Sequence, residues 1–355
     1  MARKFSLIIL LVSLAFGVFA QSGRNKPKPE EKTEKKDSRR VVYMPVEPPA
    51  PKPSPTPTAT PVKNDSDDDV IRVDSALVPI PVAVTDASGK AVTNLQISDF
   101  VLEVDGKQVE IAEISRADTP VRLALLFDNS TSVMLAREFE KKAAIRFFRQ
   151  VIRPEKDLAA LFSVASETRL EQELTKNVSL LVRAIENFAP PKGATALLDG
   201  IIQAADYLRT VDGRRVIVIV SDGDDNLSDS TLEETLRYVL ASNCQIYVVK
   251  TTDFENYKRT GGRGGNANIT FLSAERRMQE LARQTGGAVY SPVDERELDA
   301  AFTRISAELS QQYVLNYYPE DDDVPKGTFR EISLKIKDRE NLTVRARRGY
   351  IVPKK

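Results

Sequence analysis

Apolar runs and amphipathic stretches alternate through the middle of the chain, from residue 119 to residue 310. The apolar runs 121–127 and 215–220 are typical of parallel strands that are buried on both faces. The amphipathic stretches between such runs predict helices at 135–151, 178–188, 196–209, 230–242 and 273–284. This order predicts an α/β fold with a doubly wound, mostly parallel sheet of the Rossmann-like type.

Two flanking segments, 70–118 and 311–352, show a different pattern. Apolar and polar residues alternate in them, as at Ile332, Leu334 and Ile336, which is typical of half-buried antiparallel strands. The first segment predicts about four strands and the second about three, so neither looks self-sufficient. Together they predict one small antiparallel β-sandwich into which the α/β domain, 119–310, is inserted, with junctions near Thr119 and Ser310.

The first twenty residues have the pattern of a signal peptide. A short basic start precedes the apolar run 5–19, and small residues precede Gln21. The run is shorter than the ~20 residues that span a bilayer, which makes a permanent N-terminal anchor the weaker alternative. We therefore expect an exported protein, periplasmic or secreted, with no integral membrane span after signal cleavage.

Residues 21–69 predict a disordered linker that is rich in proline and in charge. They hold ten of the twenty prolines of the chain and few apolar residues, so they cannot form a core. The whole chain has 51 basic and 51 acidic residues, and we expect no nucleic-acid partner.

The histidine and cysteine counts exclude several classes of enzyme. The chain has no histidine, which removes Ser-His-Asp and Cys-His catalytic pairs and histidine-ligated zinc. Its single cysteine, Cys244, cannot form an internal disulfide and precedes a predicted strand, so we expect a buried, inert thiol. Most hydrolase mechanisms therefore lack their general base.

Hydroxyl and carboxylate side chains follow two of the predicted strands. Asp128 ends the run 121–127 and is followed by Ser130 and Ser132, while Asp222 follows the run 215–220. Ligands in α/β sheets gather beyond the carboxyl ends of strands, and a loop at 192–197 can add the hydroxyl of Thr195 there. These hard oxygens suit Mg²⁺, Mn²⁺ or Ca²⁺ better than a soft metal.

The order Asp-x-Ser-x-Ser, then a separate Thr, then a separate Asp resembles the metal-ion-dependent adhesion site of the von Willebrand factor A domain family. The resemblance implies that Ser130, Ser132 and Thr195 bind the cation through hydroxyls, while Asp128 and Asp222 act largely through water. It also implies Mg²⁺, or Mn²⁺ or Ca²⁺, as the cofactor. A protein partner would supply an Asp or Glu carboxylate as the last ligand.

The ends of the chain resemble a group of exported bacterial proteins that contain such a domain. The shared features are Val-x-Val-Thr-Asp-x-x-Gly-Lys at 82–90 and Arg-x-Gly-Tyr at 347–350. The resemblance implies export and fold, and little about biochemistry.

A polar stretch at 251–270, with glycines near its end, predicts a loop at the same edge of the sheet. It has two interpretations: a disordered insertion, or a rim that contacts the partner. The rim residues would be Phe254, Tyr257, Lys258, Arg259 and Arg263.

Three functions remain open at this point. The first is a metal-dependent protein-binding module of the adhesion type, without catalysis. The second is a structural envelope protein with an idle metal site. The third is a metal-dependent phosphatase-like enzyme with Asp128 as the nucleophile. Such enzymes carry a second Asp two places after the nucleophile, and this chain has Ser130 there.

The last predicted helix, 294–310, carries an apolar stripe that should pack on the sheet. Its residues are Leu298, Phe302, Ile305 and Leu309. The helix leads directly into a flanking strand, so it is either a static packing element or a lever between the two domains.

Overall fold

The computed structural model describes residues 77–116, 119–134, 136–262, 269–320, 324–337, 339 and 341–353. These residues belong to one compact unit, Val70–Lys355. The predicted signal peptide 1–20, the linker 21–69 and the start of the segment 70–118 lie outside the described residues. Among the described residues, no helix combines the length and the apolar character needed to cross a membrane.

The central sheet has the strand order β10-β9-β8-β5-β6-β7. Five strands are parallel, and only β7 runs antiparallel, against β6. The strands are β5 (Val121–Asp128), β6 (Leu158–Val164), β7 (Thr168–Thr175), β8 (Arg214–Ser221), β9 (Cys244–Lys250) and β10 (Val289–Tyr290). The predicted α/β fold with a mostly parallel sheet is confirmed.

Helices cover both faces of this sheet. They are α1 (Arg137–Val151), α2 (Val178–Glu186), α3 (Leu197–Arg209), α4 (Leu232–Ala241), α5 (Thr252–Thr260), α6 (Ile269–Thr285) and α7 (Glu295–Gln311). One apolar cluster joins α1, α2 and α7 to one face, and a second joins α3, α4 and α6 to the other. The core therefore lies in two layers around a sheet whose strand ends stay open to ligands.

The flanking segments form two antiparallel four-stranded sheets, β13-β1-β11-β4 and β14-β12-β2-β3. Their strands are β1 (Val78–Thr85), β2 (Phe100–Val104), β3 (Lys107–Val109), β4 (Glu113–Arg116), β11 (Tyr313–Tyr317), β12 (Phe329–Ile336), β13 (Thr343–Ala346) and β14 (Gly349–Ile351). A 3₁₀ helix, Ile97–Asp99, precedes β2.

Each of these sheets combines strands from both ends of the described chain. Val82 of β1, for example, pairs with Tyr313 of β11 and with Ala346 of β13. One apolar cluster, which includes Ile80, Leu102 and Tyr317, holds the two sheets together. The sandwich thus has eight strands in the described residues, one more than predicted. The junctions near Thr119 and Ser310 fall between β4 and β5 and at the end of α7, and the domain boundaries stay predictions.

The prediction of a loop throughout 251–270 is wrong. Residues 252–260 form α5, and 263–268 lie outside the described residues. The helix has acidic residues in its first turn, basic residues in its last turn and Gly261 at its end with a φ of 72°. These are helix signals, but the low apolar content of the stretch masks them.

The apolar stripe of α7 packs as predicted. Leu298, Phe302, Ile305 and Leu309 are all buried in the core on one face of the sheet. The ring of Phe302 lies 4.7 Å, between centroids, from that of Phe147 on α1.

Candidate metal centre

The carboxyl ends of the adjacent strands β5 and β8 bring Asp128 and Asp222 to the same edge of the sheet. Asp128 is the last residue of β5, and Asp222 follows Ser221, the last residue of β8. The carboxylate of Asp128 accepts hydrogen bonds from the Ser221 hydroxyl at 2.6 Å and from the Ser130 N–H at 2.9 Å. These bonds fix the Asp128 side chain, which is only 1% exposed.

The first loop contacts the second through backbone and hydroxyl groups. The hydroxyls of Ser130 and Ser132 lie 2.9 Å apart. Between them, Thr131 donates from its N–H at 3.3 Å and from its hydroxyl at 3.1 Å to the carbonyl of Gly193. The two predicted serine ligands are therefore held beside the loop that carries Thr195.

The second loop contacts the third in the same way. The N–H of Thr195 donates to the side-chain carbonyl of Asn226 at 3.1 Å, and the carbonyl of Thr195 accepts the N–H of Asn226 at 3.1 Å. In the third loop, the carboxylate of Asp222 accepts the N–H of Asp224 at 2.9 Å. The structure thus brings all five predicted ligands to one edge, and their role as ligands stays a prediction.

Two glycines give these loops their shape. Gly193 has a φ of 79° and Gly223 a φ of 82°, a region that other residues rarely adopt. The N–H of Gly223 donates to the Ser221 hydroxyl at 3.0 Å, the same hydroxyl that donates to Asp128. The left-handed turn after Asp222 therefore supports Asp128 as well.

No basic side chain contributes to the pKa shifts of Asp128 and Asp222. Burial, and then the charge of Asp222, raises the pKa of Asp128 to about 6. Burial also raises the pKa of Asp222, although bonds from the Asp224 N–H and the Ser132 hydroxyl oppose this. A cation bound by these carboxylates would favour their charged forms and so oppose both shifts.

Glu140 on α1 is a further acidic residue at this site, which the sequence analysis missed. It is fully buried, and neither carboxylate oxygen has a hydrogen-bond partner of good geometry, although the Thr251 side chain lies close enough to act on its pKa. Burial, and then the charge of Asp128, raises its pKa well above the usual range. The signal in the sequence is a charged residue on the apolar face of an amphipathic helix, in line with Ala143, Ala144 and Phe147.

Glu255 on α5 is a second such residue. It is partly buried, and one of its carboxylate oxygens, Oε1, has no partner. Burial, followed by the charges of Asp222 and Asp128, raises its pKa to about 8. Four acidic side chains therefore act on one another at this edge of the sheet.

This set of side chains fits a hard divalent cation. Carboxylates and hydroxyls are the oxygen donors that Mg²⁺, Mn²⁺ and Ca²⁺ prefer, and the raised pKa values of Asp128 and Glu140 mark a negative potential that a bound cation would relieve. In the part of the chain that the structure describes, no three His, Cys, Asp or Glu side chains form a direct metal-binding cluster.

The predicted rim lies on α5 rather than on a loop, and its members differ in exposure. Phe254 is 1% exposed and its ring stacks on that of Phe139, with centroids 4.8 Å apart. Its ring is therefore unavailable to a partner, which corrects its proposed place on the surface. Tyr257 and Lys258 are exposed, and the ammonium of Lys258 lies 5.3 Å from the Phe254 ring centroid.

Arg259, also exposed, donates to the side-chain carbonyl of Asn256 at 2.7 Å. Arg263, the last predicted rim residue, lies outside the described residues. A role in partner contact stays a prediction for these residues.

Residues 123–224, which run from β5 to the third loop of the site, match the sequence profile of the von Willebrand factor type A domain. The protein contains a von Willebrand factor type A domain. The matched segment includes all five predicted ligands of the von Willebrand factor A domain site. No curated protein sequence matches the chain.

Solved structures with a similar chain path include a minor pilin, a conserved hypothetical protein and a pilus adhesin. The PilB minor pilin from Streptococcus sanguinis is 13% identical, with 54% of this chain and 62% of the pilin covered and a TM-score of 0.40. The conserved hypothetical protein BatB from Bacteroides thetaiotaomicron is 14% identical, with 53% and 98% covered and a TM-score of 0.41. The pilus adhesin SpaC from Lactobacillus rhamnosus GG is 10% identical, with 72% and 48% covered and a TM-score of 0.44. At these values, none of them transfers a function to this chain.

Proposed function

We propose that the protein is an exported, metal-ion-dependent protein-binding module of the adhesion type. In this proposal Asp128, Ser130, Ser132, Thr195 and Asp222 hold a divalent cation, Mg²⁺ or alternatively Mn²⁺ or Ca²⁺. A partner protein then binds the cation through an Asp or Glu carboxylate. The observation that carries the proposal is the convergence of three hydrogen-bonded loops on two buried acids whose pKa values are raised.

The donor set supports a role in binding. Mg²⁺ takes six oxygen ligands and gives up its water reluctantly, so a site with few direct protein ligands keeps exchangeable positions. A carboxylate from outside the protein can then coordinate the cation at such a position. The protein's part is to hold the serine and threonine hydroxyls in place, which the bonds from Thr131 and to Asn226 achieve.

The contacts of Asp128 favour binding over catalysis. Both of its carboxylate oxygens already accept a hydrogen bond, from Ser130 and from Ser221. These bonds hold the carboxylate in a fixed position, and Ser130 stands where a phosphatase-like enzyme would carry its second Asp. The phosphatase-like alternative is therefore less well supported than the binding module.

Export belongs to the proposal because it depends on residues 1–20. A periplasmic or secreted protein would meet millimolar divalent cations and surface partners outside the cytoplasm. Fractionation of cells that express the full chain, with N-terminal sequencing of the mature product, tests this step. Cleavage before Gln21 is expected, and a product that retains Met1 in the cytoplasmic fraction contradicts it.

Metal binding is tested by titrating the purified protein with MgCl₂ or MnCl₂ in a calorimeter. Saturable binding is expected, and Asp128→Asn should remove it while the far-ultraviolet circular dichroism stays unchanged. Asp212→Asn is the matched control, because Asp212 is an exposed aspartate on the turn before β8, at the opposite end of the sheet. Equal affinity in the two variants would show that the cation binds elsewhere.

Partner capture is tested on immobilised protein that is exposed to envelope extract with Mg²⁺ and then washed with chelator. Proteins that elute with chelator are expected from the wild type and from Thr210→Ala, and far less from Thr195→Ala. Thr210 is an exposed threonine at the end of α3 and serves as the control. Retention that survives the chelator wash at full strength would contradict a metal-dependent contact. Metal binding without any chelator-sensitive partner would favour the structural envelope protein with an idle site.

A further inference from the structure

A cavity with three arginines in its lining lies at the opposite end of the central sheet. Its volume is about 240 Å³, and it opens where the amino ends of β8 and β9 meet strands β1, β4 and β11 of the sandwich. Three arginines line it, Arg214, Arg215 and Arg347, together with neutral residues such as Asn243 and Thr285. Among the described residues no Asp or Glu lines this cavity.

Arg347 belongs to the Arg-x-Gly-Tyr segment at the end of the chain and is 5% exposed. Its Nη1 donates to the side-chain carbonyl of Asn243 at 2.5 Å, and its guanidinium carbon lies 5.7 Å from the centroid of the Tyr350 ring. Its Nε and Nη2 have no hydrogen-bond partner. Half of the guanidinium is thus fixed in place, and the other half is unsatisfied.

Arg214, the first residue of β8, repeats this arrangement and is 7% exposed. Its Nη2 donates to the carbonyl of Leu309 at the end of α7, at 2.7 Å. Its Nε and Nη1 have no partner. Arg215 differs, because its Nε and Nη1 donate to the carbonyls of Val211 and Ser242.

Two buried guanidinium groups with little counter-charge are costly to the fold. Asp157 acts on Arg214, but Arg153 opposes its effect, and the charges that act on Arg347 come from tyrosines and not from a carboxylate. A buried charge that lacks a partner loses its hydration and gains nothing in return. Accordingly, burial lowers the pKa of Arg347 to about 10 and lowers that of Arg214 as well. A bound anion would satisfy the free N–H groups and restore the balance of charge.

We propose that this cavity binds a small oxyanion, a carboxylate or a phosphate group, between Arg214 and Arg347. The planar guanidinium donates paired N–H groups that match the oxygens of either anion. The cavity volume is below the range typical of drug-sized ligands, which favours a small acid or phosphate itself. Because the cavity joins both parts of the fold, the bound anion would also connect the sandwich to the α/β domain.

The proposal is tested with the full chain by calorimetric titration of inorganic phosphate, sulfate and succinate, at ionic strength matched with chloride. Saturable binding to the wild type is expected for at least one of the three anions. Arg347→Met and Arg214→Met should each weaken it about tenfold or more, since each removes charged hydrogen-bond donors. The control Arg209→Met, which changes an exposed arginine on α3, should bind as the wild type does.

Thermal unfolding gives a second readout that does not depend on calorimetric heat. In chloride alone, the melting temperatures of the two methionine variants serve as their own baselines, because each substitution removes a buried charge and also the bond to Leu309 or to Asn243. With the oxyanion added, only the wild type and Arg209→Met should gain melting temperature. Should a methionine variant fail to fold, Arg347→Lys keeps the charge but loses the planar fork, and its affinity should fall as well.

The anions distinguish the sources of the ligand. Binding of succinate alone assigns a carboxylate, binding of phosphate assigns a phosphate group, and both results support the site. The proposal is overturned if no oxyanion binds saturably, if chloride stabilises the wild type equally, or if affinity is the same in all the arginine variants. None of these measurements involves a divalent cation, so they leave the proposed metal site untouched.

Discussion

At the two ends of the central sheet, the buried side chains with unpartnered polar atoms have opposite charge. At the carboxyl end, Asp128 and Glu140 are buried beside Asp222, and Glu140 has no hydrogen-bond partner of good geometry. At the amino end, Arg214 and Arg347 are buried, and each has two unpartnered nitrogens. Both ends combine buried charge with polar atoms that the described residues leave unsatisfied.

Asp157 shows how this fold treats a purely structural ion pair. Asp157 lies at the amino end with a side chain that is 2% exposed, and it accepts bonds from Arg153 at 2.7 and 2.9 Å and from the Val121 N–H at 2.8 Å. Burial alone would raise the pKa of Asp157, but these bonds lower it. Charges that serve the fold are thus paired within the chain, and the difference indicates that the unpaired ones serve ligands.

Replacing Asp128 should have the largest effect on metal binding. Asp128→Ala is expected to lower the affinity for Mg²⁺ by more than about a hundredfold, since losses of about 10–100-fold follow even from changes to groups outside the coordination sphere. The fold should persist, because the change relieves repulsion with Asp222. Calorimetry measures the affinity, and unchanged binding would show that the buried acids are not the metal site.

Replacing Asp157 should lower the stability of the fold and leave metal binding unchanged. Asp157→Ala breaks a paired charge and is expected to lower the free energy of unfolding by about 2–3 kcal/mol. Removing one partner of a fully buried pair costs about 3–5 kcal/mol, but Arg153 keeps 32% of its side chain exposed. Urea denaturation measures the loss. Mg²⁺ affinity should stay unchanged in the folded protein, and a parallel loss of affinity would erase the distinction between structural and ligand-binding charges.

Glu140 and Glu138 allow a buried and an exposed acid to be compared on the same helix. Glu140→Gln should weaken Mg²⁺ binding about tenfold, because it removes an acid that can ionise beside Asp128 when the cation binds. It should change the stability of the chelated protein little, because the raised pKa of Glu140 favours its neutral form there. Glu138→Gln is the matched control, since Glu138 lies on the same helix with an exposed side chain. Calorimetry and urea denaturation in the presence of chelator measure both effects. Identical behaviour of the two variants would show that Glu140 merely tolerates burial.

Some residues of these two sites can be predicted from the sequence, and others cannot. Asp128 and Asp222 are predictable because parallel strands must place their carboxyl ends at one edge, and the apolar runs before them identify the strands. Glu255 is not, because the polar composition of α5 hides the helix that carries it. Arg214 and Arg347 line the same cavity only because strands from both ends of the described chain pair with each other, which no local pattern encodes.

The pH dependence of stability should differ between the paired and unpaired acids. Asp128 and Glu255 have pKa values raised to about 6 and about 8, above the value of about 4 expected in the unfolded chain. The chelated protein should therefore lose stability as the pH rises from about 4 to about 8, because the unfolded state releases these protons first. Asp157, with a lowered pKa, stabilises the fold above about pH 4 and loses this contribution as the pH falls.

Urea denaturation at a series of pH values, with chelator and with Mg²⁺, checks this prediction. Mg²⁺ should remove the loss of stability toward pH 8, and Glu255→Gln should reduce it in the chelated protein. A stability that rises with pH across this range in the chelated protein would contradict the assignment of unpaired acids.

Filling the metal site is expected to have its smallest effect on hydrogen exchange in α7, the helix that runs between the two ends of the sheet. Its carboxyl end is held where Leu309 accepts the bond from Arg214, and Glu308 pairs with Arg345 at 2.5 Å. Nearer its start, Asp299 pairs with Arg146 on α1 at 2.7 Å. A helix fixed at both ends and packed along its apolar face is a static element, whereas a lever needs two arrangements with different contacts.

We therefore expect hydrogen exchange in residues 294–317 to be the same with chelator and with Mg²⁺ plus a carboxylate-bearing partner. The same measurement with and without oxyanion should show slower exchange only near Leu309, where Arg214 donates. Protection that changes along the whole helix when the metal site is filled would instead support a lever. In that case the two oppositely charged ends of the sheet would be coupled through α7, and filling one site would change the affinity of the other.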